Sequence, residues 1–280
     1  MFDKIIARFD RLIPPFRKTA NTQGVSQDLQ PVETTNGFCL VCGRDVTFLS
    51  YKPLDFPCKR NSFVCQHCQS NARNRHLAKV ILKTFATNIV SLSLADFSSL
   101  TTIKIFNTSA NGALHRFLSS IVGYEGSEFF EGVLSGDYVN NIQCQDIQKT
   151  SFPDNKFDLI LTEDVLEHVP DPKKACDEIK RILKPGGWHL STIPVLFQQE
   201  KSITRSILKD GTVQHVLPNE YHHVPYRPEG VLVFTDFGQD LVEVYLERIG
   251  ATVVYESHND QQDEENYAIY NSWVYASQKA

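Results

Sequence analysis

Four side chains able to move a proton or bind a cation stand together in this chain: Glu163, Asp164, Glu167 and His168. They follow FDLILT (157–162), an almost wholly apolar run of the kind found in strands covered on both faces. Asp164, Glu167 and His168 stand at i, i+3 and i+4, so a helical segment would make them neighbours. One reading is substrate orientation and proton removal; another is a hydrogen-bond network that only stabilises the loop. A second histidine set lies in His215–Pro225, with Tyr221, His222 and His223 at its centre. Histidine titrates near neutral pH and can take a proton from a hydroxyl. His222 and His223 are therefore candidate bases, and a structural role for the Tyr-His-His stretch stays open beside that reading.

A third group carries metal chemistry. Cys39-Leu-Val-Cys42 and Cys65-Gln-His-Cys68 are separated by 22 residues. Two such pairs can set four thiolates tetrahedrally around zinc. Gly43 suits the tight turn after the first pair. Four protein ligands leave no open position, so a zinc held by Cys39, Cys42, Cys65 and Cys68 would be structural. Cys58, Cys144 and Cys176 are spare. An odd total of seven cysteines, four of them in two pairs, fits metal better than a disulfide framework.

Strands alternating with helices must position these groups. After IKIFN (103–107), a helix is expected over ANGALHRFLSSIVG, ending at Gly123, with strands near 124–130 and 141–145. Past the acidic cluster, Asp171 is a good N-cap with Pro172 at the first helical position. Ala175, Ile179, Ile182 and Leu183 give that helix its buried stripe. Pro185-Gly186-Gly187 ends it, and WHLSTI (188–193) is the next strand. LVEVYLERIG (241–250) reads as a helix, with strands in ATVVYES and AIYNSWVYAS. The pattern implies an α/β fold with a mostly parallel sheet. Residues 1–36 read as an amphipathic helix, which could dock on a protein partner, and a polar linker; 37–72 as the cysteine module; and 73–280 as the main domain.

Composition narrows the class. Hydrophobic residues make up 41% and charged ones 22% of 280 residues, with a net charge of -5 and a pI near 6.0. That balance argues against a general nucleic-acid binder. No run approaches the 18 or so apolar residues of a membrane span. Charges interrupt every apolar stretch of MFDKIIARFDRLIPP, so it is not read as a secretory signal, and a cytoplasmic protein is expected.

The residues Phe157-Asp158-Leu159-Ile160, Asp164-Val165-Leu166-Glu167-His168-Val169 and Arg181-Ile182-Leu183-Lys184-Pro185-Gly186-Gly187 resemble the class I S-adenosylmethionine-dependent methyltransferases, nearest the type 11 group. The resemblance covers roughly residues 100–257. It implies a Rossmann-like sheet of seven strands, with helices on both faces and the cysteine module as a small zinc-ribbon-like addition. It also implies S-adenosylmethionine as methyl donor. In that family the first strand leads into a glycine-rich loop; here the place reads Asn107-Thr108-Ser109-Ala110-Asn111-Gly112, with one glycine. The resemblance carries Asn107, Gly112 and Glu163 over to the donor, Glu128 to its ribose hydroxyls and Asp146 to its adenine amino group. For the Asp164–His168 cluster it adds a divalent-metal reading, as in the similar ubiquinone-pathway O-methyltransferases.

Methyltransferases with such a ribbon are often linked to polysaccharide or other secondary-metabolite assembly. The resemblance therefore implies O-methylation of a sugar, glycan or small metabolite. Two rivals remain: a non-catalytic scaffold, motivated by the single glycine, and an RNA methyltransferase gripping its target through Lys59, Arg60, Arg73 and Arg75. Those four charges could equally form a solvated rim or cover carboxylates.

Overall fold

The computed structural model describes residues 31–51, 59–86, 92–224, 227–257, 261–270 and 272–280, without the side chains of 223, 224, 227 and 228. The expected N-terminal helix, Cys58 and the side chain of His223 lie outside the described residues. No helix among the described residues is long and apolar enough to cross a membrane.

The cysteine module is a small antiparallel sheet of β1 (Glu33–Cys39), β2 (Arg44–Ser50) and β3 (Val64–Cys65). Strand β1 opens inside the stretch read as a linker. The module runs directly into helix α1 (Ala72–Phe85), whose first turn is closed by a reciprocal capping box between Asn71 and Asn74. Helix α2 (Leu94–Leu100) follows.

The main sheet then begins with β4 (Ile105–Asn107). It continues through helix α3 (Gly112–Leu118), β5 (Tyr124–Glu128), β6 (Tyr138–Val139), β7 (Ile142–Cys144) and β8 (Phe157–Glu163). Helix α4 (Pro172–Ile182) leads into β9 (Leu183–Thr192). Asp171 caps α4 by accepting from the Lys174 N–H, and Pro172 opens it, as the sequence implies. Gly186, at φ 76°, lets the chain turn between α4 and the body of β9.

Three small antiparallel ribbons fill the insertion after β9. They pair β10 (Ile203–Thr204) with β15 (Thr235–Asp236), β11 (Ser206–Lys209) with β12 (Thr212–His215), and β13 (Tyr221–Val224) with β14 (Arg227–Leu232). The chain ends in α5 (Leu241–Val244), β16 (Ala251–Glu256), α6 (Gln261–Tyr267) and β17 (Trp273–Gln278).

The strand order is β16-β17-β9-β8-β4-β5-β7-β6. The expected seven strands become eight because two residues, Tyr138–Val139, add an antiparallel edge. Strand β17 lies antiparallel between β9 and β16, while β4, β5, β7, β8 and β9 run parallel. From β4 the chain first builds outward through β5 and β7, then returns to place β8 on the other side. The order therefore reverses between β4 and β8, and a ligand crevice opens beyond their carboxyl ends.

Residues alternate along the central strands. Ile105, Leu159 and Leu161 join one apolar core, and Phe106 and Ile160 join the other. The first core is continuous with the module: Leu40, Val41 and Phe48 pack in the same cluster as Leu77 and Ile81 of α1. The module is thus sealed against one face of the sheet. The second core is closed by Ala175, Ile179 and Ile182 of α4, so helices cover both faces.

Candidate functional site

The crevice is a cavity of about 1000 Å³, lined on one side by the ends of β4, β5, β7 and β8 and on the other by α1, the module and β13–β14. That volume is large enough for a small-molecule ligand. A more open groove of similar size lies between β1, β2 and α6, around Asn36, His67 and Asn266. It holds none of the clustered acidic groups.

The sheet side carries the residues expected to meet a donor. The loop after β4 contains one glycine, and hydrogen bonds do the work that glycines would do. Asn107, buried at the end of β4, accepts the Ser109 N–H on Oδ1. Glu128, at the end of β5, reaches across and accepts on Oε1 from Ala110 N at 3.1 Å and Asn111 Nδ2 at 3.0 Å. Gly112 has φ 82°, with open space where a Cβ would stand. Glu128 therefore braces the loop as well as facing the cavity. Asp146 also lines the cavity, and its Oδ1 accepts the Gln148 N–H at 2.9 Å, closing a local turn. The ligand and turn readings of Asp146 are compatible, because its side chain serves the turn at the cavity wall.

Beyond β8 the four clustered residues part company. Asp164 takes a left-handed backbone, φ 52°, which is unusual for a residue with a side chain. Consequently Asp164 turns to the module, while Glu167 and His168 lie on a short 3-10 turn, Leu166–His168. The neighbours expected from helical spacing are therefore only Glu167 and His168.

The Asp164 carboxylate is held tightly. Its Oδ2 accepts from Arg60 Nη2 at 2.5 Å and from Arg73 Nη1, and its Oδ1 accepts the Thr192 hydroxyl at 3.0 Å. One residue back, Glu163 accepts from Asn74 Nδ2 at 2.6 Å. Burial pushes the Glu163 carboxyl above its ordinary value, and Arg73 opposes this. Arg60 and Arg73 thus cover a carboxylate. Arg75 is wholly buried and donates to the carbonyls of Ser70, Tyr267 and Ala268. These three charges form no surface stripe for RNA.

Glu167 and His168 meet a partner that spacing could not identify. His222, from β13, brings its Nδ1 to 3.7 Å from Glu167 Oε1, and His168 Nε2 lies at the same distance. The two imidazoles cross edge to face with centroids 4.9 Å apart. His168 Nδ1 lies 2.8 Å from the Leu232 carbonyl. A carbonyl only accepts, so this nitrogen carries the proton, and Nε2 of a neutral ring turns a lone pair toward Glu167. Glu167 is 1% exposed, and neither carboxylate oxygen has a hydrogen-bond partner in another residue. An ionised Glu167 would face the His168 lone pair, so the arrangement favours a proton or a cation between them. Burial raises the Glu167 carboxyl to about 7, and the positive charges of Arg60 and Arg73 limit the rise. Burial likewise lowers His222. Glu167, His168 and His222 have ligand atoms within 4.8 Å of one another, a set that could hold a divalent cation. Asp164 is not part of that set.

The four cysteines form the other candidate metal centre. Cys39 and Cys68 sulfurs are 3.6 Å apart, and those of Cys42 and Cys65 are 3.9 Å apart. Tetrahedral zinc with bonds of about 2.3 Å separates its sulfurs by roughly 3.8 Å, so the quartet fits.

Residues 109–191 match the family model described as a methyltransferase domain. Among curated proteins, 83 residues are 43% identical to a ubiquinone biosynthesis O-methyltransferase of Coxiella burnetii, covering 29% of this chain and 34% of that protein. A stretch of 60 residues is 43% identical to an uncharacterized methyltransferase of Schizosaccharomyces pombe, covering 21% of this chain and 22% of that protein. The chain thus spans between about a fifth and a third of these relatives' length. A solved S-adenosylmethionine-dependent methyltransferase of Clostridium acetobutylicum is 14% identical over 74% of this chain and 92% of that one, with a TM-score of 0.42.

Glu167 makes stability depend on pH in a direction that can be checked. Its folded value, about 7, lies above the ordinary 4.5, so the native state binds the extra proton. The stabilisation is complete below pH 4.5 and is lost as pH rises through 7. Relative to Glu167→Gln, the parent protein should lose about 3 kcal/mol between pH 4 and pH 8, at 1.36 kcal/mol per unit. Denaturant unfolding across that range measures the difference. Parallel curves for the two proteins would contradict it.

Proposed function

We propose that this protein is an S-adenosylmethionine-dependent methyltransferase that O-methylates a sugar, glycan or small metabolite. The observation that carries the reading is the cleft at the β4/β8 reversal. It sets acidic residues on the sheet side and the Glu167–His168–His222 group across from them. The match of residues 109–191 to a methyltransferase domain supports it. The likeness to a ubiquinone biosynthesis O-methyltransferase favours oxygen as the accepting atom.

On this reading Asn107, Gly112, Glu128, Asp146 and Glu163 form the donor side. Bound there, S-adenosylmethionine supplies an electrophilic methyl group on a positively charged sulfonium. The residues suit that cation: Glu128 and Asp146 are carboxylates at the cavity wall, and the braced loop at 107–112 leaves the backbone open at Gly112. Glu128 would keep its loop contacts while meeting the ribose hydroxyls.

On the acceptor side His222 is the base of choice. It is half-buried, burial holds it below the ordinary histidine value, and its Nδ1 faces Glu167. A proton taken from an acceptor hydroxyl can rest on the imidazole and be shared with the Glu167 carboxylate. His168, fixed by the Leu232 carbonyl, holds that carboxylate from the other side. Asp164 acts as a positioning residue, since its lone pairs are committed to Arg60, Arg73 and Thr192. His223 stands beside His222 on β13 and remains a second candidate base. Alignment and exclusion of water would supply most of the rate.

Zinc in the cysteine quartet would lock the module that forms the opposite wall. One zinc per chain is expected by elemental analysis. Its removal with a chelator should lower the thermal midpoint by at least 5 °C, since each kcal/mol is worth roughly 2–4 °C in a protein of this size. An unchanged midpoint would contradict the structural role.

The donor reading is tested by calorimetry with S-adenosylhomocysteine on the zinc-loaded chain. Binding is expected, weakened about tenfold by Glu128→Gln, which is 1.4 kcal/mol. No binding by folded protein would sink the reading. Transfer of labelled methyl to fractionated cell extract, followed by mass spectrometry, then identifies the acceptor.

A further inference from the structure

One guanidinium spans the two halves of the cleft without being consumed by either. Arg60 sits on a 3-10 turn, Lys59–Asn61, at the edge of the cysteine module, and its side chain lines the cavity. The side chain is only 12% exposed. Its one ionic contact is end-on, from Nη2 to Asp164 Oδ2 at 2.5 Å. A guanidinium offers five N–H donors in a fixed fork. Among the described residues, Nε and Nη1 of Arg60 make no hydrogen bond. Arg60 lines the cavity and its side chain is incompletely buried, which leaves these donors within reach of a ligand.

Asp164 does not depend on Arg60 alone. Arg73 donates to the same oxygen and Thr192 to the other, so Arg60 can share its fork with an incoming group while the carboxylate stays compensated. The charge of Arg60 is also felt by the proton-handling group: it lowers both Glu167 and His222. Arg60 and His222 also line the same cavity, so an anion on Arg60 would share it with the base. Across the cavity Glu128 and Asp146 disfavour an anion on the sheet side.

We propose that Arg60 is the anion-binding residue of the acceptor subsite, and that the acceptor bears a carboxylate or phosphate near the hydroxyl that is methylated. This rests on reading the cleft as a methyl-transfer site. Each parallel N–H pair of a guanidinium includes an Nη2 hydrogen, and Asp164 takes only one of the two, so a carboxylate or phosphate can accept the other together with Nε or Nη1, a pairing a lysine cannot reproduce. The module thus selects the substrate in addition to closing the wall. Asn61 and Asn71 stand on the same wall.

The test is an NMR titration of the zinc-loaded full chain with inorganic phosphate, D-glucuronate and D-glucose, with and without saturating S-adenosylhomocysteine. At least one anion should bind saturably and at least tenfold tighter than glucose. Phosphate alone would assign a phosphorylated acceptor, and glucuronate alone a carboxylate. Arg60→Gln should weaken the anion at least tenfold. Arg60→Lys, which keeps the charge over Asp164 and so guards against misfolding, should retain part of phosphate binding and lose most of carboxylate binding. No saturable anion binding, or anion binding unchanged in folded Arg60→Gln, overturns the proposal. The titration without S-adenosylhomocysteine decides this even if the donor does not bind, so failure of the methyl-transfer reading stays separate.

Discussion

The Asp164 carboxylate is the point on which the cleft turns. It sits one residue past β8, in a left-handed backbone, and takes two guanidinium groups and a hydroxyl. All three charged side chains are less than a fifth exposed. Partly buried charges of this kind are tolerated only while paired, and breaking a buried pair costs about 3–5 kcal/mol. The contact therefore binds the cysteine module to the end of the central strand more firmly than apolar packing alone. It also sets the chain direction: Glu163 is directed to Asn74, and the next turn carries Glu167 and His168 to the other side. Without this fork the four clustered residues would form one acidic patch. With it they divide into a pair held against α1 and the module and a pair that meets His222.

The proton-handling side follows from an electrostatic conflict. Glu167 has lost its water and gained no hydrogen bond from a neighbouring residue in return. Two imidazoles stand 3.7 Å away, and one is fixed with its lone pair inward. A proton shared among the three resolves the conflict, and so would a divalent cation. Arg60 and Arg73 matter here as well, because their charge keeps the carboxyl from rising further. The charge of the module's Arg60 therefore reaches Glu167 as well as Asp164.

Much of this was legible in the residues. The apolar FDLILT run, the Asp171-Pro172 start and the Gly186 turn each reflect a local rule, and β8, α4 and β9 follow from them. The cysteine quartet could be read because metal geometry tolerates few spacings. The loop at 107–112 was harder, since its single glycine suggests a degraded site. Hydrogen bonds from the loop to Glu128 replace glycine there, and these need a residue on the next strand. Arg60 and Asp164 are 104 positions apart, so no periodicity links them. His222 reaches Glu167 only because the insertion after β9 folds back over the cleft, with the Phe234 N–H bonded to the Glu167 carbonyl. Helical spacing grouped Asp164 with Glu167 and His168, and one left-handed residue undid it.

The central claim is that Asp164 joins the module and the post-β8 turn into one rigid wall. Hydrogen–deuterium exchange of Asp164→Ala against the parent chain tests it most directly. The account predicts at least tenfold faster exchange in two segments far apart in sequence, 59–74 and 163–168, with β4 and β9 protected as before. Unchanged protection in both segments would contradict it.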